Sequence, residues 1–167
     1  MKTFPTLQAL ADCVGQVVAV SPWTRITQAQ VNKFADATDD HQWIHLDVEK
    51  AKTGPFGGTI AHGFLTLSLI PMLSESALRV DNVRMAVNYG LNKVRFTSPV
   101  PVGSQLRGHM KLLSATPIEG NGMQFAWEMT LEREGADKPA CIAETLVRYY
   151  AEAPGLSAGA AGMANPF

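Results

Sequence analysis

The sequence has few cysteines, almost no excess charge and no long apolar run, and each shortage excludes a class of protein. Its 2 cysteines, Cys13 and Cys141, are too few for a disulfide framework, and their apolar neighbours predict buried free thiols. A formal net charge of -1 gives no basic field, so we expect no nucleic-acid partner. No apolar run approaches the roughly 20 residues that span a bilayer, and the N-terminus shows no signal-like apolar core. These absences predict a cytoplasmic protein that does not enter a membrane.

Length and composition indicate one folded domain. The chain has 167 residues, of which 46% are hydrophobic, and this is enough for a single core. We place the domain at residues 1–151. The remaining stretch, residues 152–167, is rich in alanine, glycine and proline, and we expect it to be a disordered tail.

The first part of the chain predicts short helices and strands around a long loop region. We expect a short helix within residues 6–14 and a strand at 16–23. Thr27 and Gln30 have the spacing of a capping box, which predicts a helix that ends near Thr38. Residues 39–61 indicate an ordered loop region in which only residues 48–52 favour a short helix. Loops of this length in compact domains are often functional.

The second part predicts one buried helix followed by antiparallel strands. Residues 63–73 are apolar on nearly every face, so as a helix they must be buried all round, and Pro71 should kink or loosen the turn before it. Residues 124–132 alternate between apolar and polar side chains, as a half-buried strand does. We therefore predict an α+β fold, with an antiparallel sheet wrapped around a long central helix. The open edges of such a sheet favour a homodimer.

Asp40 and His45 are the strongest candidates for catalysis. They lie in the long loop region, next to the apolar Trp43 and Ile44. An imidazole can pass protons in both directions near neutral pH, and a carboxylate beside it can hold a water. The same spacing is common in ordinary polar loops, but a helix that starts close by in sequence favours the catalytic interpretation.

The start of the apolar helix is the second candidate element. If the helix begins near His62, its first N–H groups, including that of Gly63, have no helical acceptor and carry partial positive charge. They could bind a thioester oxygen that gains charge during a reaction. Glycine lets a substrate approach the backbone, although tight packing alone would also explain it. His62 is either a buried imidazole bonded to the backbone, which we favour, or part of the site lining.

Two further polar residues have both a structural and a functional interpretation. Ser68 on the buried helix can bond back to the carbonyl of Phe64, or can support the site. Asn92 shares a strand face with apolar residues, so its amide needs a partner and could reach into the site. The one histidine pair with metal-binding spacing lacks a nearby glutamate to complete a zinc site, so we expect no metal.

The residues around these candidates resemble the MaoC-like dehydratases, which include the (R)-specific enoyl-CoA hydratases. The resemblance rests on residues 34–47 and 59–68 and extends through 89–96 and 99–103. The form Gln42-Trp43-Ile44-His45 is most similar to the branch related to nodulation protein N. Many members have Asn-Pro where this chain has Gln42-Trp43, which keeps the spacing of the acid and the histidine.

The resemblance implies a hotdog fold, a homodimer and the reversible hydration of trans-2-enoyl-CoA to (R)-3-hydroxyacyl-CoA, a lyase reaction without a cofactor. It assigns the acid to Asp40, the imidazole to His45 and the backbone donor for the thioester to Gly63. Leu65 and Leu69 would shape the acyl pocket. The predicted site residues are the catalytic Asp40 and His45 and the substrate-binding Gly63, Ser68, His62 and Asn92.

Two alternative functions remain open. The same fold can host hydrolysis of acyl-CoA thioesters, or it can act as a non-catalytic module that binds acyl-CoA. The intact pair of Asp40 and His45 favours an enzyme, because a binding module needs no acid–base couple.

Overall fold

The computed structural model describes residues 1–152 as a mixture of helices and long antiparallel strands. Along the chain the elements are β1 (Lys2–Phe4), α1 (Leu7–Ala11), β2 (Val17–Val20), β3 (Thr24–Arg25), α2 (Gln28–Thr38), α3 (Trp43–Leu46), α4 (Val48–Lys52), α5 (Gly63–Ser68), α6 (Ile70–Ala77), β4 (Leu78–Val80), β5 (Val83–Phe96), β6 (Gln105–Ile118), β7 (Gly122–Arg133) and β8 (Cys141–Ala151). The predicted α+β class is confirmed. The domain boundary and the disorder of the tail stay predictions, because residues 153–167 lie outside the described residues.

One antiparallel sheet contains all the long strands. Its strand order is β2-β6-β7-β8-β5, with the short β3 also paired to β6, so β2 and β5 lie at its two ends. Asn121 has a left-handed backbone (φ 58°) and turns β6 back into β7, where Leu112 lies opposite Trp127. A separate parallel pair, β1 and β4, is a feature that the sequence does not predict.

The main core lies between one face of the sheet and the helices α5 and α6. Ile70 and Leu73 of α6 pack on this face, which confirms that the apolar side chains of the alternating strands point inward. The large buried side chains that β6 and β7 contribute to this core are Met110, Leu112, Phe125, Trp127, Met129 and Leu131. Full burial of each such large side chain contributes roughly 1.5–3 kcal/mol, so this cluster fixes where the helices lie.

The central helix is divided in two at Leu69, in the turn before Pro71 that the sequence predicts to be kinked or loosened. Because Pro71 has no N–H, it cannot donate to the carbonyl of Leu67, and the regular helical ladder is interrupted. The N–H of Leu73 then donates to the carbonyl of Leu69 at 3.0 Å, so the second helix continues from the first.

The expected burial of this helical segment on every side is wrong for the single chain. Phe64 is 68% exposed and Met72 is 38% exposed. The Phe64 ring packs edge-to-face with the ring of Phe96 at the end of β5, with ring centroids 5.8 Å apart. The helix is therefore covered by the sheet on one side and open beside the edge strand. None of the described helices is long and apolar enough to cross a membrane.

The two cysteines differ in burial. Cys141 is fully buried in the sheet, and burial raises the pKa of its thiol to about 11, so it stays protonated and unreactive. Cys13 is also a free thiol but is only half-buried. The prediction of buried free thiols is confirmed for Cys141 and only in part for Cys13.

Candidate active site

The end of α2 places Asp40 beside the start of α5. The predicted capping box is present at the other end of α2: the Gln30 N–H donates to the Thr27 hydroxyl, and the Thr27 N–H donates to the Gln30 side chain. The helix ends at Asp39, which adopts a left-handed backbone (φ 56°) that aspartate tolerates better than most residues. The chain turns there, and the Asp40 carbonyl meets the ring of His62.

His45 lies on α3, a short helix that the sequence does not predict. The Nε2 of Gln28 donates to the His45 carbonyl at 2.8 Å, and the Oε1 of Gln28 accepts from the Thr59 hydroxyl at 2.7 Å. The Ile60 N–H donates to the Ile44 carbonyl at 3.1 Å. Gln28 therefore fixes α3 against the segment before α5. Nothing in the sequence distinguishes Gln28 from an ordinary glutamine in a first helical turn.

His45 is held as a neutral base. It is 8% exposed, and its Nδ1 lies 2.7 Å from the Ile60 carbonyl oxygen. A carbonyl can only accept, so Nδ1 carries the hydrogen and Nε2 is free to take a proton. Burial lowers the pKa of His45 below its usual 6.5 and outweighs the opposing effect of the Ile60 carbonyl.

Asp40, His45 and His62 form one cluster. One ligating side-chain atom from each residue lies within 4.8 Å of the others. The rings of His45 and His62 stack with centroids 3.8 Å apart, and the Asp40 carboxylate approaches the His62 Nε2 at 4.0 Å. His62 is 2% exposed, whereas the Asp40 side chain is 55% exposed. The Asp40 carboxylate is therefore the solvent-exposed member of the cluster, and the two imidazoles beside it are buried.

This cluster has the residue types of a metal site, but each imidazole already uses one ring nitrogen in a hydrogen bond. The His62 Nε2 lies 3.0 Å from the Asp40 carbonyl oxygen. The Nδ1 of His45 is also occupied by the Ile60 carbonyl. The arrangement is better suited to proton transfer than to metal binding.

Gly63 begins α5 directly after His62. As the first helical residue, its N–H has no acceptor within the helix. A Cβ on Gly63 would lie 2.8 Å from the Cδ2 of Phe96, so a side chain would fit only if that ring moved. Close packing explains the glycine by itself, and its role as a donor to substrate stays a prediction.

Ser68 and Asn92 lie outside the cluster. The Ser68 hydroxyl donates to the Phe64 carbonyl at 2.7 Å, as its structural interpretation predicts. Asn92 is exposed on β5, and its amide donates to the carboxylate of Glu144 on β8 at 2.6 Å. Its partner is therefore a surface residue of the neighbouring strand. Roles for Ser68 and Asn92 in substrate binding stay predictions.

A cavity of about 660 Å³ lies between the helices and the sheet. Its lining is mainly apolar and includes Leu67, Ser68, Ile70, Trp127, Met129 and Tyr149. Leu65, which we expect to shape an acyl pocket, packs instead in a second core cluster with Ile26 and Val31 of the α2 region. The side of the helix that faces the cavity thus begins at Leu67 and Ser68.

Comparison with known proteins gives consistent matches over most of the chain. Residues 10–126, which include the cluster, match the MaoC like domain family. The chain is 52% identical over 151 residues to 3-hydroxyacyl-thioester dehydratase Z of Mycobacterium tuberculosis, covering 90% of this chain and 100% of that protein. It is 41% identical over 140 residues to nodulation protein N of Rhizobium meliloti, covering 83% and 87%. An R-hydratase from Pseudomonas aeruginosa superposes with a TM-score of 0.63 at 26% identity, covering 87% of this chain and 92% of that one.

Proposed function

The chain belongs to the MaoC-like domain family as a dehydratase with the hotdog fold, and we propose that it reversibly hydrates trans-2-enoyl-CoA to (R)-3-hydroxyacyl-CoA. Its relatives support thioester hydration and dehydration in general. The CoA carrier, the stereochemistry and the residue roles are our proposal. The observation that carries it is a neutral imidazole, His45, clustered with the solvent-accessible carboxylate of Asp40.

In the proposed reaction, Asp40 and His45 bind one water. Because the His45 Nδ1–H donates to the Ile60 carbonyl, its Nε2 takes a proton from the water while the water oxygen attacks C3 of the enoyl group. The electron pair of the double bond moves toward C2 and the thioester oxygen. A proton then reaches C2 from the same pair of residues. All atoms of the water end in the product without a change of redox state, so we propose that no metal or redox cofactor takes part.

We assign the N–H of Gly63 to the thioester oxygen. This oxygen gains negative charge as C3 is attacked, and the first N–H groups of a helix are unpaired donors. Gly63 follows His62 directly, so its N–H lies beside the cluster. The cavity next to Ser68 then offers space for the acyl chain.

The acid limb of the pH profile is expected to lie below pH 6.5, the usual pKa of histidine. Burial lowers the pKa of His45, so the ring stays neutral in a range where an exposed histidine is already protonated. Activity is present above the lowered pKa and is lost as the pH falls through it. The profile of kcat/KM with crotonyl-CoA measures this limb in the free enzyme. A limb centred above pH 6.5 would exclude His45 as the base.

We propose that the enzyme is a homodimer joined along β5. This strand has 14 residues and ends the sheet, so its outer edge offers unpaired N–H and C=O groups. Tyr89 and Leu91 on this strand are 43% and 48% exposed. Because Gly63 packs against Phe96 at the end of β5, the active site would lie beside the interface.

Sedimentation equilibrium tests this interface. We expect a mass of two 18.0 kDa chains for the wild type and of one chain for Leu91→Lys, because the lysine places a charge in an apolar contact. Val17→Lys is the matched control, since Val17 is 60% exposed on β2 at the opposite end of the sheet. A monomeric wild type, or equal effects of the two substitutions, would exclude an interface along β5.

A spectrophotometric assay tests the proposed reaction. Hydration of crotonyl-CoA should remove the enoyl absorbance without release of free thiol, and chiral chromatography should identify the product as the (R) isomer. Release of thiol with the enoyl absorbance unchanged would indicate a thioesterase. Stabilisation by acyl-CoA without turnover would indicate a binding module.

A further inference from the structure

His62 contacts both proposed catalytic residues, although the reaction itself needs no third side chain. Its Nε2 lies 3.0 Å from the Asp40 carbonyl oxygen, and its ring stacks on His45. We propose that His62 is a positioning residue that holds the carboxylate of Asp40 and the ring of His45 in the geometry that activates one water. This inference rests on the proposed function of that pair.

The hydrogen bond of His62 fixes the main chain at Asp40. A carbonyl only accepts, so the His62 Nε2 carries the hydrogen and donates it. The carboxylate of Asp40 approaches the same nitrogen at 4.0 Å, and no described residue forms a hydrogen bond with this carboxylate. The position of this exposed carboxylate therefore depends on its backbone. The backbone is held by His62 just after the left-handed turn at Asp39.

The ring of His62 also positions His45. Phe34 packs against the ring of His62, with the two ring centroids 5.0 Å apart. Phe34, His62 and His45 thus form a continuous row of rings from α2 to α3. A shift of the middle ring would move the base, and a displacement of about 1 Å at a catalytic group can lower the rate about a hundredfold.

A purely structural role does not explain why this ring is a histidine. With the hydrogen on Nε2, the buried Nδ1 of His62 is left as an acceptor, and it has no partner among the described residues. An unpaired buried acceptor destabilises the folded state. Phenylalanine would fill the same row of rings without this cost, but it could not donate to Asp40.

His62 also affects the protonation of His45. The titratable groups that act on His45 are Asp40, which favours its protonation, and His62, which opposes it. Helix α2 contributes the uncharged Phe34 and Gln28. Removing the imidazole at position 62 should therefore raise the pKa of His45 and move the acid limb of hydration to higher pH.

Two substitutions separate the hydrogen bond from the ring. His62→Phe keeps a ring between Phe34 and His45 but removes the donor to Asp40, whereas His62→Gln keeps an N–H donor and removes the ring. We expect kcat for crotonyl-CoA hydration to fall about a hundredfold in His62→Phe and about tenfold in His62→Gln, with KM changed little. The acid limb should move to higher pH in both. His109→Gln is the control, because His109 bonds Glu132 within the sheet, away from the site, and should leave kcat unchanged.

An NMR titration of the histidine rings gives a readout that does not depend on turnover. The chain has 4 histidines, so single substitutions assign each resonance. We expect His45 to titrate at higher pH in both His62 variants than in the wild type. If the wild type does not hydrate crotonyl-CoA, the proposed function is wrong even if this shift is observed. An active wild type with unchanged kcat, acid limb and His45 titration in the folded variants would overturn the positioning role. The positioning role would also be overturned if the variants lost activity only in proportion to their loss of folded protein and the His45 titration did not shift.

Discussion

Replacing His45 with glutamine is expected to lower kcat for crotonyl-CoA hydration about 10³-fold, within the range for loss of a general base. Glutamine can still donate to the Ile60 carbonyl, which accepts from the His45 Nδ1 at 2.7 Å. It cannot take up a proton, so the attacking water is no longer activated. KM should change little, because the ring binds the water rather than the bulk of the thioester. Steady-state kinetics with the enoyl absorbance measures both constants.

The fold should survive this substitution. Gln28 fixes α3 through the main-chain carbonyl of residue 45, and that hydrogen bond does not need an imidazole. The far-ultraviolet spectrum and the thermal midpoint should therefore stay close to those of the wild type. A folded His45→Gln enzyme with kcat within about threefold of the wild type would remove His45 from the chemistry.

Replacing Asp40 with asparagine should lower kcat about 10²- to 10³-fold. Asparagine has the same shape but no charge, so it can neither accept the proton nor supply it to C2. The carbonyl that accepts from His62 at 3.0 Å belongs to the main chain and is unaffected. Because the Asp40 side chain is 55% exposed, we expect a change in the free energy of unfolding of no more than about 0.5 kcal/mol.

Asp39→Asn is the matched control for this prediction. Asp39 is the adjacent carboxylate, and asparagine tolerates its left-handed backbone as well as aspartate does. It should keep the wild-type kcat. If the substitutions at Asp39 and Asp40 lower kcat equally, the loss reflects the net charge of the loop and not a carboxylate in the reaction.

The fold was largely predictable because its long strands have strong periodicity. Apolar and polar side chains alternate along β7, so that Met129 and Leu131 lie on the face of the sheet that forms the core. The one strongly apolar helical segment of the sequence was therefore expected to cover that face. The interruption of the helix before Pro71 is a local effect of one missing N–H, and the sequence predicts it as a kinked or loosened turn. The exposure of Phe64 was not predictable, since the apolar pattern does not reveal which side of a helix an edge strand leaves open.

Three of the predicted site residues, Asp40, His45 and His62, lie together in the structure, but their geometry was not predictable. The spacing of Asp40 and His45 indicated an acid–base pair, and the adjacent helix start brought in His62 and Gly63. The stack of two imidazoles joins residues that are distant in sequence, so no local pattern shows it. Helix α3 has four residues, too few to display a helical period, and it depends on Gln28 for its position. Tertiary hydrogen bonds of this kind leave no sequence signal.

The central claim, that Asp40 and His45 activate one water for addition to C3 of an enoyl thioester, is tested most directly in ¹⁸O-labelled water. Mass spectrometry of the crotonyl-CoA reaction locates the oxygen that the enzyme adds. We predict that the wild type places the label on the C3 hydroxyl of an intact thioester, and that His45→Gln adds none above background in the same time. Label in a free carboxylate, together with free thiol, would contradict the claim, because the water would then have attacked the thioester carbonyl.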